Sequence, residues 1–183
     1  METALKKSDF VVRFAGEGGQ GVVTSAEGLA QAATQTGYHA QTFATFPSQI
    51  MGGPTWTQTR ISTSPVLSSG DRLDVLVCFN KAAYDTHHGE VGDDGVIVYN
   101  TGDFELESDT HSFGMNFDEL AKSTGNARAA NMVVIGALAH LVGMKQEIFD
   151  EFVTKRFSRG RPNDDEIIRS NLEAMRLGRA EAE

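Results

Sequence analysis

The sequence is poor in cysteine and in long apolar segments. Cys78 is the only cysteine among 183 residues. This excludes a disulfide framework, and it excludes any iron–sulfur cluster or cysteine-rich zinc site held by this chain alone. No apolar run approaches the roughly 18 residues of a transmembrane helix, and the N-terminal segment METALKKSDF has no signal-peptide core. We therefore expect a cytoplasmic protein.

One long stretch also lacks charge. Residues 28–70 contain no aspartate, glutamate or lysine, and Arg60 is their only fixed charge. Residues 71–183 hold 21 acidic and 12 basic residues, which accounts for the whole net charge of −9. This acidity argues against nucleic acid as the main partner. The neutral stretch is rich in Gln, Thr and Ser, so it suits contact with a protein partner or a ligand; a weakly charged piece of sheet and loop is the alternative.

Strands and helices alternate along most of the chain. A helix is predicted from Gly19 to about Thr36, ended by Gly37, and the last third is helical. The pattern predicts an α/β fold with three layers: a mostly parallel, Rossmann-like sheet with helices on both faces, and a helical C-terminal third. We expect one domain over residues 1–183, with an α/β core at about 9–160 and a C-terminal helix at about 163–180. The predicted strands are FVVRFAG, YHAQTFATF, TWTQTRIS, LDVLVCF, DDGVIVYN and a short one before FDELAKSTG.

A glycine-rich turn, GEGGQGVVT at residues 16–24, joins the first strand to the first helix. Glycine lets the backbone approach a ligand closely, and a helix N-terminus offers free N–H groups and the positive end of the helix dipole. A phosphate or another anion is therefore the natural ligand of such a turn. The letters also match G-x-G-x-x-G, which by itself is a weak signal for dinucleotide binding.

The rest of the dinucleotide fingerprint is missing. An NAD site normally has an acidic residue about 20 residues further on, but no acid occurs between Glu27 and Asp71. An NADP site would need an arginine nearby, and the next one is Arg60. Val22 and Val23 stand where a P-loop needs Lys and Ser or Thr. Another anion, a partner contact, or glycines that only permit close strand–helix packing remain as alternatives.

Other candidate residues favour structural roles. His87 and His88 are adjacent, so on a helix they diverge and cannot share one metal; a solvated turn is expected. Cys78 lies inside an apolar strand and is expected in the core. The segment KRFSRGR, residues 155–161, reads as a basic helix end, or as a contact for an anionic ligand or an acidic subunit face.

Three segments carry a resemblance to a known family: GEGGQGVVTSAEGLAQAA, TFPSQIMGGPTWTQTRIS and DVLVCFNKAAYD. They resemble the gamma subunit, or gamma domain, of the 2-oxoacid:ferredoxin oxidoreductases. Glutamine after two glycines, followed by Gly-Val, is far more specific than G-x-G-x-x-G. The late segment NMVVIGALAHLVG agrees, so the resemblance covers about residues 9–178.

Such complexes oxidatively decarboxylate a 2-oxoacid to acyl-CoA. The resemblance implies that this chain is the non-cluster gamma component, which helps to bind coenzyme A, supports assembly and is inactive alone. It places thiamine diphosphate, Mg²⁺ and the [4Fe–4S] clusters on partner subunits, with ferredoxin or an NAD-reducing subunit as an indirect partner. A free-standing Rossmann-type nucleotide-binding module and a purely structural adaptor are the alternatives. The family pattern does not distinguish pyruvate from other 2-oxoacids, nor a separate subunit from part of a fused one.

The resemblance assigns no catalytic and no metal-binding residue to this chain. Family members often carry a charge before the paired glycines, whereas Gln49, Ile50 and Met51 stand there in this sequence, which removes an expected salt bridge. Arg60 is expected to reach a phosphate or carboxylate, or to pair with an acid across a subunit interface. The expected coenzyme A-binding residues are Gly16, Gly18, Gly19, Gln20, Gly21, Thr24, Ser48, Gln49, Gly52, Gly53 and Arg60.

Overall fold

The computed structural model describes residues 8–46, 52–107 and 111–183. These residues form two compact units, each described by itself. The sheet unit comprises the described residues up to Asn116, and the helical unit runs from Phe117 to Glu183. That the chain is one domain stays a prediction.

Six strands form one sheet in the order β2-β3-β1-β4-β5-β6. Only β3 runs antiparallel to its neighbours, β1 and β2; the pairs β1–β4, β4–β5 and β5–β6 are parallel. Five strands therefore share one direction, and the predicted mostly parallel α/β fold is confirmed. The strands are β1 (Asp9–Glu17), β2 (His39–Thr45), β3 (Pro54–Ser62), β4 (Leu73–Cys78), β5 (Val91–Asn100) and β6 (Ser112–Met115).

The two α-helices described in the sheet unit pack on opposite faces of the sheet, and a short 3-10 helix (His88–Glu90) follows the second one. Helix α1 (Val22–Gln35) contacts β1, β2 and β3, and Thr59 of β3 donates a hydrogen bond to a carbonyl of this helix. Helix α2 (Lys81–His87) lies on the face of Gln58, the adjacent β3 residue, because Arg13 donates to Gln58 and contacts His87. Neighbouring strand residues point to opposite faces, so the central strands are buried on both sides, as their apolar sequences predict.

The helical unit contains four helices: α3 (Phe117–Ser123), α4 (Ala130–Leu141), α5 (Gln146–Phe157) and α6 (Asp164–Ala182). Helix α4 is apolar all round and nearly every residue is buried, as expected for a central helix. Helices α4 and α6 cross at two glycines, where a side chain on Gly136 would meet the backbone of Met175 and one on Gly178 that of Val133. Helix α6 begins with three acidic residues in its first turn, Asp164, Asp165 and Glu166, which the positive end of the helix dipole favours.

Candidate functional site

The glycine turn lies at the end of the sheet where the carboxyl ends of β1, β2 and β4 come together. Strand β1 ends at Glu17, opposite Pro54 at the start of β3. Strand β2 ends at Thr45, opposite Trp56 of β3, and Cys78 at the end of β4 pairs with Ala15. In open α/β sheets, ligands bind at the carboxyl ends of the parallel strands. The turn therefore occupies the edge at which a ligand is expected.

Positive backbone angles shape the turn. Gly19 and Gly21 have φ angles of 99° and 82°. Residues other than glycine rarely adopt this backbone conformation. Gly21 occupies the N-cap position of α1, where no side chain caps the helix. Its carbonyl accepts bonds from the backbone N–H and the hydroxyl of Ser25. The first turn of α1 contains no acidic residue, so no carboxylate of the helix itself offsets the positive end of its dipole.

Gln20 holds this turn together from inside. Its Oε1 accepts a 2.7 Å hydrogen bond from the backbone N–H of Glu17 and a 3.3 Å bond from Nδ2 of Asn80. Asn80 in turn caps α2 by accepting from the N–H of Ala83 at 2.9 Å. A Cβ on Gly16 would lie 2.5 Å from Oε1 of Gln20. Gly16 thus leaves room for Gln20, which ties the turn to the start of α2.

The paired glycines before β3, Gly52 and Gly53, form a second glycine loop that contacts the glycine turn. The N–H of Gly18 donates to the carbonyl of Gly53 at 3.2 Å, which connects the two groups of predicted ligand-binding glycines. Gly52 has a φ angle of 74° and is exposed, whereas Gly53 is buried. A Cβ on Gly18 would meet only the Gly52 nitrogen, at an ordinary 3.7 Å.

The predicted Ser48 and Gln49, with Pro47 beside them, lie outside the described residues. Their assignment to coenzyme A therefore stays a prediction. Thr24, also predicted to bind coenzyme A, lies in the first turn of α1, just after the glycine turn.

A cavity of about 430 Å³ opens next to the glycine turn. Gly16 and Glu17 form one side of it, Thr55 and Trp56 of β3 another, and His87 of α2 a third. Its size falls within the roughly 300–1,000 Å³ of small-molecule sites. Its lining is largely uncharged, with Glu17 as the one carboxylate among the described lining residues.

The likeness of this chain to known proteins identifies its family. Residues 11–181 match the family model described as pyruvate ferredoxin/flavodoxin oxidoreductase. The chain belongs to this family. The predicted resemblance is therefore confirmed.

Relatives within the family place this chain among gamma-type components. It is 34% identical to a ketoisovalerate oxidoreductase subunit VorA of Methanothermobacter marburgensis, over 91% of this chain and 35% of that protein. It is 31% identical to the pyruvate/ketoisovalerate oxidoreductases common subunit gamma of Thermococcus kodakarensis, over 80% of this chain and 86% of that one. The chain thus spans about a third of the length of VorA and most of the separate gamma subunit.

A solved structure also matches the fold closely. The 2-oxoglutarate:ferredoxin oxidoreductase from Magnetococcus marinus, with 2-oxoglutarate, coenzyme A and succinyl-CoA bound, superimposes with a TM-score of 0.84 at 31% identity. The match covers 96% of this chain and 31% of that one. The likeness therefore concerns one part of a longer oxidoreductase chain.

In this member of the family, a cluster of side chains around the buried Arg13 supports the cavity wall. Arg13, only 7% exposed, donates to Oε1 of Glu90 at 2.6 Å and contacts Nδ1 of His87 at 3.0 Å. It also donates two bonds to Oε1 of Gln58, and its guanidinium lies 4.4 Å over the Trp56 ring. Burial opposes ionisation of Glu90, but hydrogen bonds from Arg13 and His87 outweigh it and lower the pKa of Glu90. Arg13 thus contacts both rings that line the cavity, those of His87 and Trp56.

Sequence reasoning missed this cluster. His87 was expected in a solvated turn, which is wrong, because its side chain is only 11% exposed and bonded to Glu90. His88 is exposed, as expected, and stacks on Tyr84. The available signal was Arg13 itself, a charge in the middle of the apolar strand FVVRFAG, which needs a buried partner.

Arg60 lies away from the glycine turn. It pairs with Val11 in the β1–β3 register, whereas Gly16 pairs with Thr55. Its guanidinium forms a double hydrogen bond with Asp9, at 2.9 and 2.5 Å, and the Arg60 bond lowers the pKa of Asp9. Its partner in this structure is therefore an acid of the same chain, and its assignment to coenzyme A stays a prediction.

Cys78 has a structural role. Cys78 is fully buried, as predicted, and burial, followed by the nearby charge of Asp85, raises the pKa of its thiol to about 12. Such a thiol is not a nucleophile at neutral pH.

Among the described residues, no group of three or more His, Cys, Asp or Glu could hold a metal ion. Nor does any helix in the described parts of the chain combine the length and apolar character needed to cross a membrane.

Proposed function

We propose that this chain is the gamma component of a multisubunit, thiamine-dependent 2-oxoacid:acceptor oxidoreductase, and that its glycine turn helps to bind coenzyme A. The complex would convert a 2-oxoacid and coenzyme A into acyl-CoA, carbon dioxide, one proton and two electrons. Family membership supports the reaction class. The observation that carries the ligand assignment is the start of α1, which has neither a side-chain cap nor an acidic residue in its first turn.

The glycine turn suits a pyrophosphate group. Uncapped N–H groups and the helix dipole both favour an anion at this position, and the glycine at position 18 leaves room for close approach. Coenzyme A needs no carboxylate at the end of the second strand, where none occurs in this sequence. Coenzyme A therefore fits the site better than NAD does.

The neighbouring cavity suits the uncharged part of the same ligand. Its lining combines three threonines and three alanines with the Trp56 ring, a mixture that suits an amide-containing, mostly apolar arm. Glu17 would repel a phosphate inside the cavity, so the anion belongs at the helix end of the turn.

The neutral stretch also supports assembly with other subunits. The two large hydrophobic side chains that are exposed among the described residues, Phe46 at 68% and Leu67 at 92%, both fall within residues 28–70. Strand β2 of the same stretch forms one edge of the sheet. Uncharged surface with exposed aromatic and aliphatic groups is typical of a protein interface.

The other cofactors belong to the partner subunits in this proposal. Thiamine diphosphate with Mg²⁺ would supply a carbanion-stabilising centre, and [4Fe–4S] clusters would carry electrons toward ferredoxin or an NAD-reducing subunit. The described residues offer no metal-ligand group, and the single cysteine is buried. The cytoplasm stays the predicted location.

The test is the Michaelis constant for coenzyme A in the purified complex. Gly18→Ala places a methyl group where the ligand would approach, although the free chain has room for it. We expect this Michaelis constant to rise about tenfold or more, with kcat nearly unchanged, as for a lost binding contact. Gly89→Ala is the matched control, because a Cβ there meets nothing within 4 Å.

Three results would count against the proposal. If Gly18→Ala left the Michaelis constant unchanged in a normally assembled complex, the chain would be a structural adaptor. If calorimetry on the isolated chain showed NAD binding and no coenzyme A binding, a free-standing nucleotide-binding module would be favoured. Failure to co-purify with any thiamine- or cluster-containing subunit would remove the proposed complex itself.

A further inference from the structure

A second cavity, of about 480 Å³, lies entirely within the helical unit. Its walls come from the segment between α3 and α4, the segment between α5 and α6, and the first two turns of α6. Four arginines line it: Arg128, Arg159, Arg161 and Arg169. We call this cavity the arginine cleft.

The arginine cleft concentrates positive charge in a unit whose overall charge is nearly balanced. Residues 117–183 contain 11 acidic and 10 basic residues, yet the cleft is lined by four arginines, with Glu166 as the one acid among the described lining residues. Of the four arginines, Arg161 is paired, with Asp164 at 2.9 Å. Among the described residues, the other three have no ion pair. Such concentration of one charge sign in a concave site attracts ligands of the opposite sign.

A buried carboxylate holds two of these arginines in place. Oδ2 of Asp164 accepts the backbone N–H groups of Arg159 and Arg161, at 2.5 and 3.0 Å, and Oδ1 accepts Nε of Arg161. These bonds, the Arg161 N–H first, lower the pKa of Asp164 to about 2. Asp164 is therefore ionised at neutral pH, and it fixes the loop from which both arginines project.

The opposite wall of the cleft is also fixed by hydrogen bonds. Nδ2 of Asn126 donates to Oγ of Ser170 on α6 at 3.1 Å. Oδ1 of the same Asn126 accepts the backbone N–H of Arg128 at 3.2 Å. One asparagine thus ties the backbone of the Arg128 segment to α6, which supports this wall of the cleft.

We propose that the arginine cleft binds a phosphate-bearing small molecule. Guanidinium groups match phosphate oxygens in charge and geometry, and several can bind one phosphate group or two adjacent ones. The cleft volume lies within the roughly 300–1,000 Å³ of small-molecule sites. All its described lining residues belong to the helical unit, and none of them belongs to the glycine turn.

The experiment titrates inorganic pyrophosphate into the full chain at low salt, with calorimetry for affinity and backbone amide NMR for location. We expect shifts concentrated in residues 124–128 and 159–171. A double variant, Arg159→Ala with Arg169→Ala, should bind about tenfold more weakly or worse, because two charge-assisted contacts are lost. The matched control, Lys155→Ala with Arg179→Ala, also removes two positive charges from the helical unit and should bind normally.

Several outcomes would overturn the proposal. One is equal binding by the double variant and the wild type, with both melting at the same temperature. Amide shifts confined to residues 16–24 would assign pyrophosphate to the glycine turn instead. A chain that ignores pyrophosphate but binds a glutamate-rich peptide would make the cleft a protein-docking surface. Gly18→Ala should leave cleft binding unchanged, so failure here and failure of the coenzyme A assignment are distinguishable.

Discussion

The two units of this protein use glycine for different purposes. In the sheet unit, Gly19 and Gly21 give the backbone positive φ angles at the turn before α1. In the helical unit, Gly136 and Gly178 let α4 and α6 approach until their backbones touch. In the first case glycine shapes an edge where a ligand can bind, and in the second it permits packing.

The two uses of glycine differ in what occupies the space where a Cβ would be. The position of a Cβ on Gly136 is taken by the Met175 carbonyl, 1.9 Å away, and that on Gly16 by the end of the Gln20 side chain. A Cβ on Gly18 would meet only an ordinary contact. A glycine whose space is already filled serves the fold, whereas one whose space is open is available to a ligand. Of these three, only Gly18 is of the second kind.

The largest expected effect is that of Gly136→Ala. In an isolated helix, alanine is favoured over glycine by about 1 kcal/mol. Here the added Cβ would lie 1.9 Å from the carbonyl oxygen of Met175. This oxygen belongs to the backbone of α6, which cannot move aside as a flexible side chain can. Separating α4 from α6 should cost about 3 kcal/mol or more, which outweighs the propensity gain. Urea unfolding followed by circular dichroism measures the change.

Gly178→Ala and Gly89→Ala test the reason for that loss. Gly178 faces the Val133 carbonyl at the same 1.9 Å and should be equally sensitive, while Gly89 has open space and should not be. If Gly136→Ala proved neutral or stabilising, close contact of the two helix backbones would be disproved.

A smaller effect is expected for Gly16→Ala. Its Cβ would lie 2.5 Å from Oε1 of Gln20, a flexible group, and 2.9 Å from Cβ of Phe79. Gln20 must therefore move and give up its bonds to Glu17 and Asn80, at a cost of about 1–3 kcal/mol. In a Gln20→Ala background the same substitution should cost less, so a double-mutant cycle by urea unfolding gives a coupling energy. Strict additivity would show that Gln20 does not occupy this space.

The sequence predicted the elements and the glycine turn well, because both depend on local patterns. Apolar periodicity located the strands, and Gly37 ended α1 with a φ angle of 89° as expected. The contact between the two glycine loops, through Gly18 and Gly53, was not predicted, although both loops were named. The reversed direction of β3 was not visible either, since strand direction depends on the path of the whole chain.

Long-range partners were the main limit. Arg13 and Glu90 are 77 positions apart, and Arg60 and Asp9 are 51 apart, so no local pattern joins them. Gln20 was named as a ligand-binding residue because it belongs to the family motif, but its visible bonds position the turn. Spacing can indicate that a residue matters, while the choice between binding a ligand and supporting the turn requires the fold.

The smallest expected effect is that of Gly18→Ala on the stability of the isolated chain. Gly18 has no positive φ angle, and its added Cβ would lie 3.7 Å from the Gly52 nitrogen. The free energy of unfolding should therefore change by no more than about 0.5 kcal/mol. The same urea titration as for Gly16→Ala and Gly136→Ala places all three on one scale. A loss of about 2 kcal/mol or more would mean that the space at Gly18 is not open, and then a raised Michaelis constant for coenzyme A in this variant would report a damaged turn rather than a blocked ligand.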